Sequence, residues 1–522
     1  MKWKLFKSKE DLQNKHYSLE PYKKRFYLFN TKYWKNSYKC ERSSSFLVEG
    51  LLGGMPTHLF RLGVAAKAIE QVMNIKPVVI LKKDKDNNRK MFESFGIDEF
   101  VYLNEVSPNA NKKFLILVEM IRFFTKCNVN GLLNIKYKKI NIGKLVYDNI
   151  LHSNKDCYTI EKIEVKHIKY IFNALMYAAK YETLIEKNNV DLVLLSHNEY
   201  IEYGTLAVAA LCQNREVITV NDVEVSKYSL PQELYWHKRF NSNIIKNLKK
   251  IDNIELQNEG NQYLNERIYG NEGLFDTKNA FGNKKIYTRE ELREQFAHND
   301  NKNVFIFMHV FSDAPHLSAM VMYRDYYDWI TDTLKIIKCV KDVNWYIKVH
   351  PAAYLYGETE KIREILEIDN YNNIFFVPDD FNAASIKGVA DAVVTCQGTV
   401  GIEAGCMGIP VIVTGKPFYA DFGFTLCPKS KTQYYEMLQN CNHIKKLSNA
   451  KVQKAMAVMG AFNRAKYIDM TILDNEVYEY AGYGKRIDYD KAYNKIIKNM
   501  RDKAYEDIFL YKKVKELITD LK

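Results

Sequence analysis

Two trains of short, apolar, β-rich runs, each interleaved with helix-period patterns, constrain this chain more than anything else in it. In the first half the runs fall at 46–52, 77–83, 99–103, 191–197 and 216–220, with helical patterns at 57–72 and 165–187. The second of these helices puts Ile168, Ile171, Phe172, Leu175, Met176 and Ala179 on one stripe. The pattern restarts with NVFIFMHV at 303, NWYIKVHP at 344, NIFFVP at 373, AVVTCQ at 392 and PVIVTG at 410. Near-continuous apolar strands alternating with helices indicate parallel sheets covered on both faces. The expected fold is α/β: two Rossmann-like domains with a ligand cleft between their strand carboxyl ends, and a helical C-terminal tail.

At 522 residues the chain exceeds what one core serves. The polar, Asn- and Gly-rich stretch 253–303 reads as the linker. This gives an N-terminal acceptor-side domain over 1–265 with a basic N-terminal segment, a nucleotide-binding domain over 266–447, and a helical extension over 448–522 whose last helices cross back to the first domain. No run is apolar enough for a secretory signal or a membrane span, so the expected place is the cytoplasm. Nine scattered cysteines without a CxxC pair suggest neither zinc nor a disulfide framework. The net charge of +13 suits an anionic partner. Lysines mixed with large apolar residues at both ends suit peripheral contact with the inner membrane. No nucleic-acid motif accompanies the charge.

The segment most able to carry chemistry is 395–425. Gln397, Gly398 and Thr399 close an apolar strand, and a short helix holding Gly401 and Glu403 follows. Backbone N–H groups at such a turn can hold a phosphate, with the Thr399 hydroxyl beside them and Glu403 placed to accept from ribose hydroxyls. The plainer reading is a tight βα turn with Thr399 as helix cap. Lys348 and His350, two apart at a strand end before Pro351, face one way and can stabilise charge on a departing phosphate. His309, Ser312, Asp313 and His316 sit where another strand runs into a loop. In the first domain Gly53 and Gly54 would let backbone approach a ligand, and His197, Glu199, Tyr200 and Tyr203 face the acceptor side. Neither GxGxxG nor GxxxxGK[ST] is present. The tripeptides Asp84-Lys85-Asp86 and Asp488-Tyr489-Asp490 read as chance rather than as a metal site, so no metal and no cofactor are expected.

IKVHP at 347–351 followed by GTVGIEAGCMGIPVIVTGKPFYADFGFT at 398–425 resembles the C-terminal half of bacterial capsule polysaccharide transferases, above all the retaining β-Kdo transferases that use CMP-Kdo. The resemblance implies a GT-B-like fold and metal-independent transfer from a nucleotide sugar, with a CMP-sugar favoured and a glycan or glycolipid as acceptor. It places His350 and Thr399 at the phosphate and Glu403 nearby. Asp421-Phe422 stands where those transferases carry Gly-Trp. A teichoic-acid-type polyol-phosphate transferase shares the KxHP element but carries a DYSS-like turn in place of Gln397-Gly398-Thr399. A UDP-sugar 2-epimerase shares the fold, and a non-catalytic scaffold of a capsule assembly complex would account for the basic ends alone.

Overall fold

The computed structural model describes residues 20–53, 56–83, 86–269, 281–282, 284–316, 322–368, 370–466, 471–483 and 487–519. Gly54, Asp84, Lys85 and the basic segment at 1–19 lie outside them.

The first sheet contains β1 (Ser45–Glu49), β2 (Lys76–Leu81), β3 (Glu99–Tyr102), β6 (Val190–Leu195), β7 (Glu216–Val220) and β8 (Val225–Tyr228) in the order β3-β2-β1-β6-β7-β8. All neighbours are parallel except β7 and β8. A hairpin of β4 (Lys136–Tyr137) and β5 (Ile140–Asn141) stands apart. The second sheet is wholly parallel, with β9 (Lys302–Phe307), β10 (Val343–Lys348), β11 (Ile374–Phe376), β12 (Ala392–Thr395) and β13 (Val411–Val413) in the order β11-β10-β9-β12-β13. Each order reverses once, between β1 and β6 and between β9 and β12. Loops leaving such a switch point diverge and leave a crevice.

The pleat explains why these strands read as unbroken apolar runs. Leu47, Val78, Ile80 and Val193 enter one core layer of the first domain, while Phe46, Val48, Val79 and Leu194 enter the other. In the second domain Val304, Ile306, Trp345 and Ile347 face one layer, and Phe305 and Tyr346 the opposite one. The helix at Val165–Lys187 forms as expected and buries Ile171, Leu175 and Ala179 of its stripe, but Phe172 of that stripe turns outward and is exposed.

The linker reading of 253–303 does not hold at its start. Asn253–Ile268 is a helix that buries Leu256, Tyr263, Leu264 and Arg267 against the helix Asn449–Ala465. Two glycines make the crossing close: a Cβ on Gly260 would lie 2.0 Å from the Met456 carbonyl, and one on Gly460 2.1 Å from that of Leu256. A helix seated backbone to backbone needs few apolar side chains, so its exposed Asn and Gln residues dominate its appearance. The preceding helix, Trp236–Lys250, joins the same core through Phe240 and Ile244. Segments from Ile472 to Ile518 pack instead into the first domain with Phe26, Trp34 and Phe60.

The two domains touch through the helix Gly143–Ser153. The Tyr147 hydroxyl donates to Asp325 at 2.5 Å, and Asp148 accepts from the backbone N–H and Nδ1 of His316 at 3.1 and 2.6 Å. Both carboxylates are buried, so these contacts are shielded from water.

Candidate active site

A cavity of about 430 Å³ opens where β9, β10 and β12 end. Its wall includes His309, Asp313, Lys348, His350, Pro351, Gln397, Gly398, Thr399 and Glu403, all singled out in the sequence. Trp236, Phe281, Phe307 and Ala383 add an apolar side suited to a ring or a ribose face.

His309 leaves β9 and stacks parallel on Tyr326, with ring centroids 4.2 Å apart. Its Nε2 accepts from the Gln397 backbone N–H at 3.1 Å, which places the ring proton on Nδ1. Burial, with His350 nearby, pulls its pKa down to about 3, so the ring is neutral at any ordinary pH. One nitrogen is therefore committed to holding the turn after β12. The rest of that turn is tied in the same way. Thr395 Oγ1 accepts from the Gly398 N–H at 3.2 Å, and Gln397 Nε2 donates to the Pro315 carbonyl at 3.0 Å. Gly401 and Ile402 donate to Gly398 and Thr399. Among the described residues, the N–H groups of Thr399 and Val400 are left without a protein acceptor.

Thr399 is exposed and makes no side-chain cap, so the plainer reading of it as a helix cap fails. The helix Val400–Cys406 is only two turns long, so any anion at its start would be held by local N–H groups rather than by a large dipole. Gly401, expected to bind donor, lies buried under Tyr419 instead. A Cβ there would fall 2.1 Å from the Tyr419 oxygen, whose hydroxyl donates to the Gly398 carbonyl. This glycine serves packing and does not line the cavity.

Lys348 is buried at the end of β10, with Nζ donating to the Phe381 carbonyl at 2.9 Å. Burial, reinforced by Lys284, brings its pKa down to about 7, so it stands poised between charged and neutral. His350 lies just beyond the strand, half-buried, with Nδ1 accepting from the Ala352 N–H at 3.2 Å. Glu403 is paired with Arg267 at 2.8 Å, both side chains nearly inaccessible. Arg267 escaped the sequence reading because it lies in the stretch taken for a linker.

At the end of β6 the first domain contributes Glu199, which lies outside that cavity and lines a separate one of about 40 Å³ with Asp148, Asn198 and His316. Glu199 precedes the helix Tyr200–Cys212 and receives its own N–H and that of Asn198, yet burial pushes its carboxyl up to about 7. Its Oε2 has no hydrogen-bond partner among the described residues. Across the cleft, Asp313 is pushed up to about 6 by the protein packed around it, against the hydrogen bond from Tyr356 and reinforced by Glu199. Its surface nevertheless opens to the cleft. Glu199 thus adds to the cost of charging Asp313, whereas the charges acting on Glu199 itself are Arg239, which lowers it, and Glu224, which raises it. Tyr200 adopts φ +61° and packs on His152 at 4.4 Å, close to Tyr356 and Asp313.

Other expected residues stand elsewhere. His316 is spent on Asp148, and Ser312 donates to Glu358. His197 bonds Ser196 Oγ at 2.8 Å and packs on Tyr203 at 4.1 Å, away from the cavity. Beside it Glu49, missed in the sequence, accepts from the N–H groups of Leu51 and Leu52 and from Ser196. Gly53 does not line the cavity either. Asp488 caps the helix Tyr489–Met500, and Asp490 pairs with Arg25 at 2.6 Å. Among the described residues no three His, Cys, Asp or Glu side chains gather as a metal site, and no helix is long and apolar enough to cross a membrane.

No curated protein matches this chain. Among solved structures, the beta Kdo 2,7 transferase of Thermosulfurimonas dismutans KpsC aligns at 18% identity over 53% of this chain and 79% of its own, with a TM-score of 0.30. The beta Kdo 2,4 transferase of the same KpsC aligns at 13% over 52% and 79%, with a TM-score of 0.33. A UDP-GlcNAc 2-epimerase from Neisseria meningitidis aligns at 11% over 88% and 100%, with a TM-score of 0.25. Residues 240–457, which hold most of the cavity wall, match the family described as capsule polysaccharide biosynthesis protein, and so bear out the resemblance carried by IKVHP and the run from Gly398 to Thr425.

Proposed function

We propose that the protein is a glycosyltransferase of capsule or surface polysaccharide synthesis, of GT-B type and independent of metal. It takes a sugar from a nucleotide donor, with a CMP-sugar favoured, and passes it to a glycan or glycolipid acceptor at the cytoplasmic face of the inner membrane. The observation that carries this reading is the meeting of Lys348, His350, Thr399 and the Arg267–Glu403 pair in one cavity at the second sheet's switch point. The donor phosphate sits against Lys348, His350, the Thr399 hydroxyl and the N–H groups of Thr399 and Val400. Charge growing on that phosphate as the glycosidic bond breaks is balanced by Lys348, which takes up a proton beside an anion. Glu403, steadied by Arg267, accepts from ribose hydroxyls, and the apolar side covers the sugar or base.

The acceptor enters from the Glu199 side. A carboxyl with pKa near 7 is a workable base at neutral pH, and the Glu199–Asp313 pair takes the acceptor hydroxyl's proton as the new bond forms. With Asp313 at about 6 and Glu199 at about 7, kcat/KM should rise with pH through that range. Glu199→Gln should lower kcat by roughly 10²- to 10⁴-fold and move that limb. An unchanged profile would remove the pair from the mechanism.

A thermal-shift titration with CMP, CDP, UDP, UMP and GDP, each with magnesium or with EDTA, tests the donor. A ligand at a hundred times its Kd adds about 2.7 kcal/mol to native stability. Selective stabilisation by CMP that survives EDTA, and is weakened in His350→Ala, is the expected result. A response to UDP or CDP alone replaces the donor, and no response to any nucleotide favours a scaffold.

A further inference from the structure

We propose that the helix Ala110–Phe124 docks this protein on an anionic phospholipid surface. The helix is apolar on two opposite sides. Ile116 and Phe123 are buried inward, where Lys112 pairs with Glu186 at 2.5 Å. On the far side Phe114, Leu117, Ile121 and Phe124 remain 64, 54, 55 and 52% exposed. Their spacing of three, four and three residues puts them on a single stripe, and Leu115 adds an exposed edge. Isolated exposed apolar residues are ordinary on a protein surface, but four large ones aligned along one helix are not.

The charges around the stripe choose the partner. Lys113 and Lys126 are exposed at its two ends, and Lys136 and Lys139 are exposed on the β4–β5 hairpin that follows it in the chain. The helix's only acid, Glu119, is largely covered and bonded by Arg122. Basic ends on an exposed apolar stripe suit headgroup phosphates above an acyl boundary, as the chain's net charge of +13 does. At 15 residues the helix is about 22 Å long, enough to lie in the interface plane. This inference does not depend on the catalytic reading.

Vesicle flotation of the full chain tests it, using phosphatidylcholine alone and phosphatidylcholine with about one third phosphatidylglycerol. The wild type should float with the anionic vesicles only, and added salt should release it. The double variant L117E/I121E should reduce partitioning about a hundredfold, since two apolar side chains no longer enter the boundary. K113E/K126E should reduce it roughly thirtyfold or more. All four positions are exposed, so thermal unfolding should be unchanged. If L117E/I121E is unstable, Leu117→Trp supplies a second readout, a blue-shifted emission on adding anionic vesicles. Equal flotation of wild type and L117E/I121E overturns the proposal, as does equal binding to neutral vesicles. It is equally overturned by a wild-type chain that binds no vesicles but forms a dimer that L117E/I121E abolishes.

Discussion

Lys348→Met separates the charge of the site from its stability. In the folded chain the Lys348 pKa is about 7 against an ordinary 10.5, so between those values the unfolded chain holds a proton that the folded chain lacks. Stability therefore rises with pH across that window, and the cost of burying the ammonium is fully present below it. The drop, at about 1.4 kcal/mol per pH unit, sets a ceiling near 5 kcal/mol. Methionine removes the titration and also strands the Phe381 carbonyl, at about 1 kcal/mol regardless of pH. The sign of the difference at one pH is thus not diagnostic, whereas its slope is. Urea unfolding at several pH values from 7 to 10 should show wild type gaining on the methionine variant by about 0.5 kcal/mol per unit or more. If a nucleotide phosphate binds beside Lys348 as proposed, it restores the proton, so wild-type affinity should fall up to about tenfold per pH unit above 7, with proton uptake visible by calorimetry in buffers of different ionisation enthalpy. The variant should bind weakly and without that dependence. A flat stability difference together with an unchanged binding profile would falsify the assignment of Lys348 to the phosphate.

Gly401→Ala should lower stability by about 1–3 kcal/mol or more, because its methyl collides with Tyr419 and dislodges the bond to Gly398. A scanning-calorimetry Tm equal to wild type would show that the turn has slack. Arg267→Leu leaves Glu403 buried and unpaired, a loss of about 3–5 kcal/mol by denaturant unfolding, and adding Glu403→Leu should recover much of it. No recovery would mean that the arginine acts through packing alone.

What could be read from the sequence was whatever repeats with a period. The strands are legible because both their faces are buried, and the helix at Val165–Lys187 because one stripe carries its burial. Asn253–Ile268 was not legible, because Gly260 and Gly460 let two backbones touch and the helix shows few apolar side chains. Arg267 was lost with it. In the site, residue types at strand ends located the cavity, but their roles were settled by partners far away in the chain. His309 is committed to Gln397, Gly401 to Tyr419 and His316 to Asp148. No spacing within the motifs encodes those commitments, since each depends on how separate loops meet.

The same meeting of loops gives the cleft its chemistry. Burial moves Lys348 down to about 7, and raises Glu199 to about 7 and Asp313 to about 6. Each shift follows from the cost of holding charge among packed side chains, and each brings a group toward neutrality near physiological pH. Such a site answers to charge brought in from outside. A phosphate entering beside Lys348 draws a proton onto it, and an acceptor hydroxyl losing its proton finds carboxyls opposite that can receive it. In the proposed reaction the proton taken up by the lysine would offset charge left on the nucleotide, while the proton leaving the acceptor would pass to Glu199 or Asp313. In that scheme Asp313 shares the donor cavity with Lys348 while Glu199 comes from the first domain, and the Tyr147–Asp325 and Asp148–His316 contacts join the two domains beside them. The division of labour lies between the two domains, and neither half of the sequence contains it alone.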